Sequence, residues 1–304
     1  MSGSRGEDGG SGRRGRPIVP AAMLAVVLAA CSSAPRGGSS ESPAAQPPAE
    51  PAAAAALIEA HNRRVELLDK TYFHGVIEFR WVDESGDEHF EPQVNARLWL
   101  DLPRQTALRA EKLDDVLLWL GSDDEHYWMF DLMGEERVLY LGRHDEDPAQ
   151  ARRSPLLIRP LALLDLLALT LVPVPRSNDG IAFDAERDAW VVTAAGAGGP
   201  MRLYLDRKGG LPVRVETLSS DGEVLMSSSL GRYKSVPVAG VSRAALPRMP
   251  TLIDIADPGS TVAVKLALDQ PSGEVDDQPW DRVFALSRLL QALRPQRIEG
   301  DVVP

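Results

Sequence analysis

Cysteine is nearly missing from this chain: Cys31 is the only one in 304 residues. No internal disulfide and no multi-thiolate metal site can form, so whatever folds must be held by apolar burial. No run is apolar for the roughly 20 residues a membrane-spanning helix needs. Pro20 interrupts residues 17–30, and residues 156–172 contain Arg159, Pro160 and Asp165. Spaced catalytic signatures are missing too. His61, His74, His89, His126 and His144 stand alone without HExxH spacing, no serine sits in GxSxG, and no Gly-Lys-Ser/Thr follows Gly196, Gly198 and Gly199. The sequence therefore points to no enzyme, no cofactor and no metal. Basic residues are outnumbered 33 to 44, a net charge of -11, which argues against a nucleic-acid partner.

What is present begins at the amino end. Arg13, Arg14 and Arg16 precede an apolar stretch centred on residues 23–28, which closes on Leu28-Ala29-Ala30-Cys31. This quartet resembles the lipobox of bacterial lipoproteins. The resemblance implies a signal peptide over residues 1–30, cleavage between Ala30 and Cys31, a diacylglycerol on the Cys31 sulfur, and usually a third acyl chain, such as palmitate, on the new α-amino group. Each buried methylene contributes about 0.8 kcal/mol, so two or three chains hold a protein to a membrane where one does not. Ser32, where the enteric sorting rule places an aspartate for inner-membrane retention, points to the outer membrane, facing the periplasm.

Residues 31–53 are rich in Ser, Pro, Ala and Gly and have little to bury, which predicts a flexible tether. The folded domain is expected over residues 54–304, long enough for one sizeable core. Without the four arginines, Glu7 and Asp8 of the signal, 29 basic residues face 42 acidic ones, net -13. A chain so acidic cannot hold anionic lipid with a basic patch, so the membrane link rests on Cys31.

Within the domain, Leu57, Ile58, Val65 and Leu68 repeat at helical spacing and predict a helix over residues 55–70, with Glu66 one turn before Lys70. The period then changes to two: Ile77, Phe79 and Trp81 face one way, and Val76, Glu78, Arg80 and Val82 the other. Glu84-Ser85-Gly86 turns the chain into residues 90–101, and four more strand-like runs follow at 105–112, 116–120, 126–132 and 137–141. Loops this short join only antiparallel neighbours.

A leucine-rich helix is predicted over residues 156–169, with Pro160 in its first turn. It is apolar on most sides, so it is expected to be buried or to close over something apolar. Strand-like runs resume at 181–183, 190–193, 201–206, 213–219, 223–233 and 261–269, with Asp221-Gly222 as a hairpin turn, before a last helix over residues 280–294.

A single sheet of about eleven strands must curl, and helices then cover its concave side. The expected fold is mainly β, α+β: a large curved antiparallel sheet forming a half-open barrel. Its mouth suits an extended apolar ligand, with Ile77, Phe79, Trp81, Leu98, Leu100, Trp119, Trp128 and Phe130 as candidate lining and Leu163 and Leu167 on the lid helix. The same residues would equally make a dry core. Two functions therefore stay open: binding of lipid or lipoprotein acyl chains, or an anchored module that docks an envelope protein. Two acidic clusters, residues 123–126 and 144–147, lack EF-hand spacing and read as solvated hairpin tips.

The order of these features resembles the superfamily of lipoprotein localisation factors, LolA and LolB. The quoted residues are Cys31, a helix with His61-Asn62-Arg63-Arg64, a strand with Gly75, and a meander with Tyr204-Leu205-Asp206 and Leu211-Pro212. The resemblance implies an unclosed eleven-stranded barrel with a helical lid and acyl chains bound inside. Two departures stand out: the chain is longer than the usual receptor, and no exposed apolar loop is evident in its sequence.

Overall fold

A computed structural model describes residues 51–82, 85–145, 158–174, 180–273 and 277–300, all within the unit Pro47–Pro304. The signal, Ala30, Cys31 and the tether up to residue 50 lie outside the described residues. Helix α1 is Pro51–Glu66; it begins inside the span expected to be tether, at a proline whose missing N–H costs nothing in a first turn. The helix also ends a turn early. Lys70 opens strand β1 (Lys70–Val82), and its ammonium pairs with Asp101 at 2.9 Å rather than with Glu66.

The meander expected from short loops forms β1 to β6, with β2 at Glu88–Asp101, β3 at Gln105–Lys112, β4 at Asp115–Ser122, β5 at His126–Asp131 and β6 at Val138–Arg143. Each strand pairs antiparallel with the next. The short helix α2 (Pro160–Leu166) follows, and the chain resumes as β7 (Ile181–Asp184), β8 (Ala189–Ala195), β9 (Pro200–Asp206), β10 (Pro212–Leu218) and β11 (Val224–Gly231). Next come a two-stranded ribbon, β12 (Lys234–Ser235) and β13 (Arg248–Met249), then β14 (Leu252–Ala256) and β15 (Val262–Ser272). The predicted last helix breaks at Phe284 and Ala285 into α3 (Trp280–Val283) and α4 (Leu286–Leu293), and β16 (Arg297–Glu299) ends the described fold.

Fourteen strands share one sheet, in the order β16-β6-β5-β4-β3-β2-β1-β15-β14-β11-β10-β9-β8-β7. The count exceeds the twelve strand-like runs of the sequence by β14 and β16, which are short and escape pattern reading. The halves are sewn together by β1 and β15, with Phe79 opposite Val264 and Ile77 opposite Leu266. β16 runs parallel to β6. The outermost strands β16 and β7 do not pair with each other, so the sheet is curved but not closed.

The curvature follows from α2, which touches β3, β4 and β10. β4 and β10 are seven spacings apart in the strand order, roughly 34 Å on a flat sheet at about 4.8 Å each. A helix about 10–12 Å across reaches both only if the sheet wraps round it. Alternation then sorts the side chains. Facing inward, Ile58 of α1, Leu68 just after it, Leu164 and Leu166 of α2 and Phe73, Leu98, Leu203 and Ile253 of the strands form one buried cluster. On the outer face of the first half, Trp99, Trp119, Trp128, Phe130 and Leu139 form a second cluster under Val283 and Leu289. The carboxy-terminal helices thus cover the outer face, not the concave one. The outer face of the second half carries charge instead: Glu216 takes Arg214 at 2.9 Å, Tyr204 at 3.0 Å and Arg202 at 3.3 Å.

α2 is fixed by its only acid. Asp165 is fully buried and accepts the N–H groups of Ala197 at 2.7 Å and Gly198 at 2.8 Å and the Thr170 hydroxyl at 2.6 Å. Burial pushes its carboxyl up, against the pull of these three donors. The glycine turn between β8 and β9 is thereby a clasp on α2. Asp165→Ala leaves the donors without an acceptor and is expected to cost about 3 kcal/mol, at 1–3 kcal/mol per buried orphan. Urea unfolding with an unchanged midpoint would show that the clasp does not hold the helix.

Candidate functional site

The inner face is not filled along its whole length. At the end where β1 begins, Ile58, Leu68, Phe73, Leu98 and Leu100 are fully buried and close-packed. Towards the end where β1 finishes, the side chains of α1 and α2 run out and a cleft of about 490 Å³ remains. Its walls are Ile77, Phe79 and Trp81 of β1, Leu118, Leu120 and Met129 of β4 and β5, Ile255, Val262, Val264 and Leu266 of β14 and β15, and Leu163 of α2. Ile77 is fully buried at the floor and Trp81 half-buried nearer the mouth, about 13 Å apart at some 3.3 Å per strand residue.

Among the described residues two charged groups border it, Asp131 on the inner face of β5 and Arg80 of β1, whose exposed side chain turns to the opposite face of the sheet. The Arg80 guanidinium lies 5.0 Å from the Phe90 ring centre, and Asp131 accepts the Met133 N–H at 3.1 Å. Four large apolar side chains are exposed at this same end: Val82 and Phe90 on the β1–β2 hairpin, Leu113 on the β3–β4 turn, and Met133 after β5. Leu113 is 90% exposed. It occupies a two-residue turn with Asp114, both at positive φ (51° and 72°), where Asn-Gly is the usual choice.

Of the candidate lining residues, Ile77, Phe79, Trp81 and Leu163 meet in the cleft. Leu98, Leu100 and Leu167 face the same interior but are fully buried in its solid part. Trp119, Trp128 and Phe130 point to the opposite face, where the Trp119 ring stacks on Trp99 at 6.2 Å. The physical reason is parity: Leu118, Leu120 and Met129 are their inward neighbours, and an aromatic side chain carries no preference for the concave side. The half of the cleft built by β14 and β15 was not foreseen.

A polar clamp ties the lid to α1. Asn62 donates to the Val172 carbonyl at 2.7 Å and accepts the Val172 N–H at 2.9 Å. The His61 Nε2–H donates to the Thr170 carbonyl at 3.0 Å, which leaves Nδ1 to accept from Arg64 at 3.3 Å. Arg64 also donates to the carbonyls of Ala168 and of Arg248, the latter at 3.2 Å. Burial lowers the Arg64 pKa, and burial and then Arg64 lower that of His61 to about 3. The residues His61-Asn62 and Arg64, singled out by resemblance, therefore lie on the helix face that grips residues 168–172.

The acidic clusters act as turns where they are described. Asp123 accepts the N–H groups of Glu125 and His126 at 2.9 and 2.7 Å, and Asp145 pairs with Arg143; Glu146 and Asp147 lie outside the described residues. Among the described residues, no helix is long and apolar enough to cross a membrane.

No protein-family model matches the chain, and no curated protein does. Solved structures are similar to it, among them the following three. A DUF1329 family protein from Desulfovibrio piger is 11% identical, with 77% of this chain and 98% of that chain covered and a TM-score of 0.48. A protein from Vibrio parahaemolyticus, described as an outer membrane lipoprotein-sorting domain, is 9% identical over 75% and 94% of the two chains, TM-score 0.48. A LolA superfamily protein from Nitrosomonas europaea is 12% identical over 77% and 98%, TM-score 0.44.

Proposed function

We propose that this protein is anchored in the cell envelope by lipid on Cys31, at the periplasmic side of the outer membrane, and that its cleft shields an acyl chain of a lipid or lipoprotein from water. The observation that carries the reading is the apolar cleft at the open end of the sheet, ringed by exposed apolar side chains. Acyl chains cannot cross an aqueous space uncovered. At roughly 25 cal/mol per Å², covering several hundred Å² is worth on the order of 10 kcal/mol before the costs of binding.

The test uses the full-length chain carrying Cys31→Ser. It is expected to bind a fluorescent fatty-acid probe and to yield lipid to solvent extraction and mass spectrometry, whereas the unaltered chain alone takes up palmitate label in the cell. A purified protein that is empty and ignores the probe moves the reading to a docking module for an envelope protein.

The rim supports contact with a bilayer surface during loading or release. Leu113→Asp removes an apolar side chain worth about 1.5–3 kcal/mol when buried. It is expected to slow transfer of the bound probe to phosphatidylethanolamine vesicles about tenfold at unchanged thermal stability. Equal transfer rates would remove Leu113 from the contact.

A further inference from the structure

We infer that the outer face of the sheet carries a separate binding site, a trough across β1, β15, β14, β11 and β10 that takes an extended acidic glycan. It goes beyond the acyl-chain reading and does not depend on it, because the side chains that build the trough lie on the opposite face from the cleft.

The trough follows from register. Pairing sets Arg80, Ala263, Ala256, Ser227 and Glu216 in one row across five strands, and Glu78, Lys265, Asp254, Ser229 and Arg214 in the row beside it. Alternation sends both rows outward, since Phe79, Val264, Ile255 and Val215 between them belong to the inner core. The short side chains of Ala263, Ala256 and Ser227 sink between taller neighbours and leave about 480 Å³ open. Arg80, laid over the Phe90 ring, closes the β1 end. Glu78, Lys265 and Asp254 make the long wall, and Arg214, held by Glu216 at 2.9 Å, closes the β10 end. The two ends are four strand spacings apart, roughly 19 Å at about 4.8 Å each.

Solubility alone does not call for this shape. Alanine is a poor strand residue, and its place on an outward strand position is better filled by a longer or β-branched side chain. Two alanines and a serine side by side on neighbouring strands give up that surface and create depth instead.

The walls select the occupant. Sugar hydroxyls both donate and accept: Glu78 and Asp254 accept, Arg80, Lys265 and Arg214 donate, and the Ser227 and Ser229 hydroxyls do either. A peptide of one charge sign meets a like charge somewhere along Glu78, Lys265 and Asp254, whereas a polyhydroxylated chain uses all three. The repeat of an extended pyranose chain is also close to the strand spacing of about 4.8 Å, so a glycan lying across the strands offers one sugar to each. Three cations face two anions in the trough, within a chain of net charge -11. That local excess favours a carboxylated sugar over a neutral one.

The experiment is isothermal titration calorimetry on the full-length Cys31→Ser chain. The ligands are hexameric galacturonate, cellohexaose, hexaglutamate, and cell-wall glycan chains freed of peptide, whose muramic acids carry carboxylates. Galacturonate is expected to bind at least tenfold tighter than cellohexaose or hexaglutamate, and more weakly as salt rises. Ser227→Tyr, which fills the floor, and Lys265→Glu, which reverses a wall charge, should each lower that affinity at least tenfold. Both should keep the parent's circular dichroism and, with the inner face untouched, its uptake of the fatty-acid probe. Cell-wall chains that match galacturonate identify the wall as the source of the glycan; cell-wall chains that fail where galacturonate binds identify a free acidic polysaccharide. Galacturonate binding that survives both substitutions overturns the trough as the site. Cellohexaose equal to galacturonate overturns the acidic preference, and hexaglutamate equal to it overturns the choice of a sugar. Absence of glycan binding overturns this inference alone, and absence of probe uptake overturns the acyl-chain reading alone.

Discussion

Phe79→Asp is expected to lower acyl-chain affinity at least a hundredfold and to leave the fold standing. Phe79 lies on the inner face of β1 opposite Val264 and contributes a wall of the cleft, yet it is only half-buried. In the empty protein a carboxylate there keeps water, so folding is little disturbed. When a chain enters, that water must leave, and an unpaired charge against methylenes costs several kcal/mol. A hundredfold loss needs only about 2.7 kcal/mol. Phe79→Leu, which keeps the wall apolar, should stay within a few-fold of the parent. Titration with the fluorescent fatty acid, beside circular dichroism of each variant, measures both halves. Parent-like affinity in a folded Phe79→Asp protein would place the ligand elsewhere.

The alternation in β1 through β6 was legible because short loops leave antiparallel pairing as the only choice, and Asp221-Gly222 forms its hairpin turn with Gly222 at φ 82°. Ile77, Phe79, Trp81 and Leu163 were legible as cleft residues for the same reason: the period places three of them on one face, and a greasy helix must bury its leucines. What local pattern does not hold is the partner across the sheet. β15 meets β1 from nearly 190 residues away, with Val262 opposite Trp81 and Leu266 opposite Ile77. That register is set by closing the curve round α2, a property of the whole sheet. The side of the sheet on which Trp119, Trp128 and Phe130 lie was hidden likewise. Parity assigns them to the face opposite Leu118 and Leu120, but only the position of α3 and α4 makes that face a second core.

Leu113 shows a different kind of loss. The break between the runs 105–112 and 116–120 was legible, but without Asn or Gly in the turn nothing in the sequence marks its two residues as a tight hairpin at positive φ. Two residues at positive φ, one of them a bare leucine, are a local strain that the fold tolerates at the rim of the cleft. Together with Phe90 and Met133 it sets apolar surface at the mouth of the cleft.

The lid clamp makes stability fall in mild acid, with His61 as the lever. In the folded chain its pKa is lowered to about 3, first by burial and then by the facing Arg64 guanidinium, against the Thr170 carbonyl, which pulls it up. Unfolded, it returns to about 6.5. Above pH 6.5 both states are neutral here and the group has no effect. As pH falls below 6.5 the unfolded chain takes a proton that the folded chain refuses, so stability drops by about 1.36 kcal/mol per unit, or about 2 kcal/mol by pH 5. Tyr233, which faces the same spot and is raised by burial, stays neutral throughout the window and does not offset it. His61→Gln keeps a donor for the Thr170 carbonyl and has nothing to titrate, so its urea midpoint should fall less than the parent's between pH 7.5 and 5. Since the clamp holds residues 168–172 directly behind α2, the parent's lid should also exchange amide protons faster, relative to β1, at the lower pH. Equal acid sensitivity in the two proteins would move the lever away from His61.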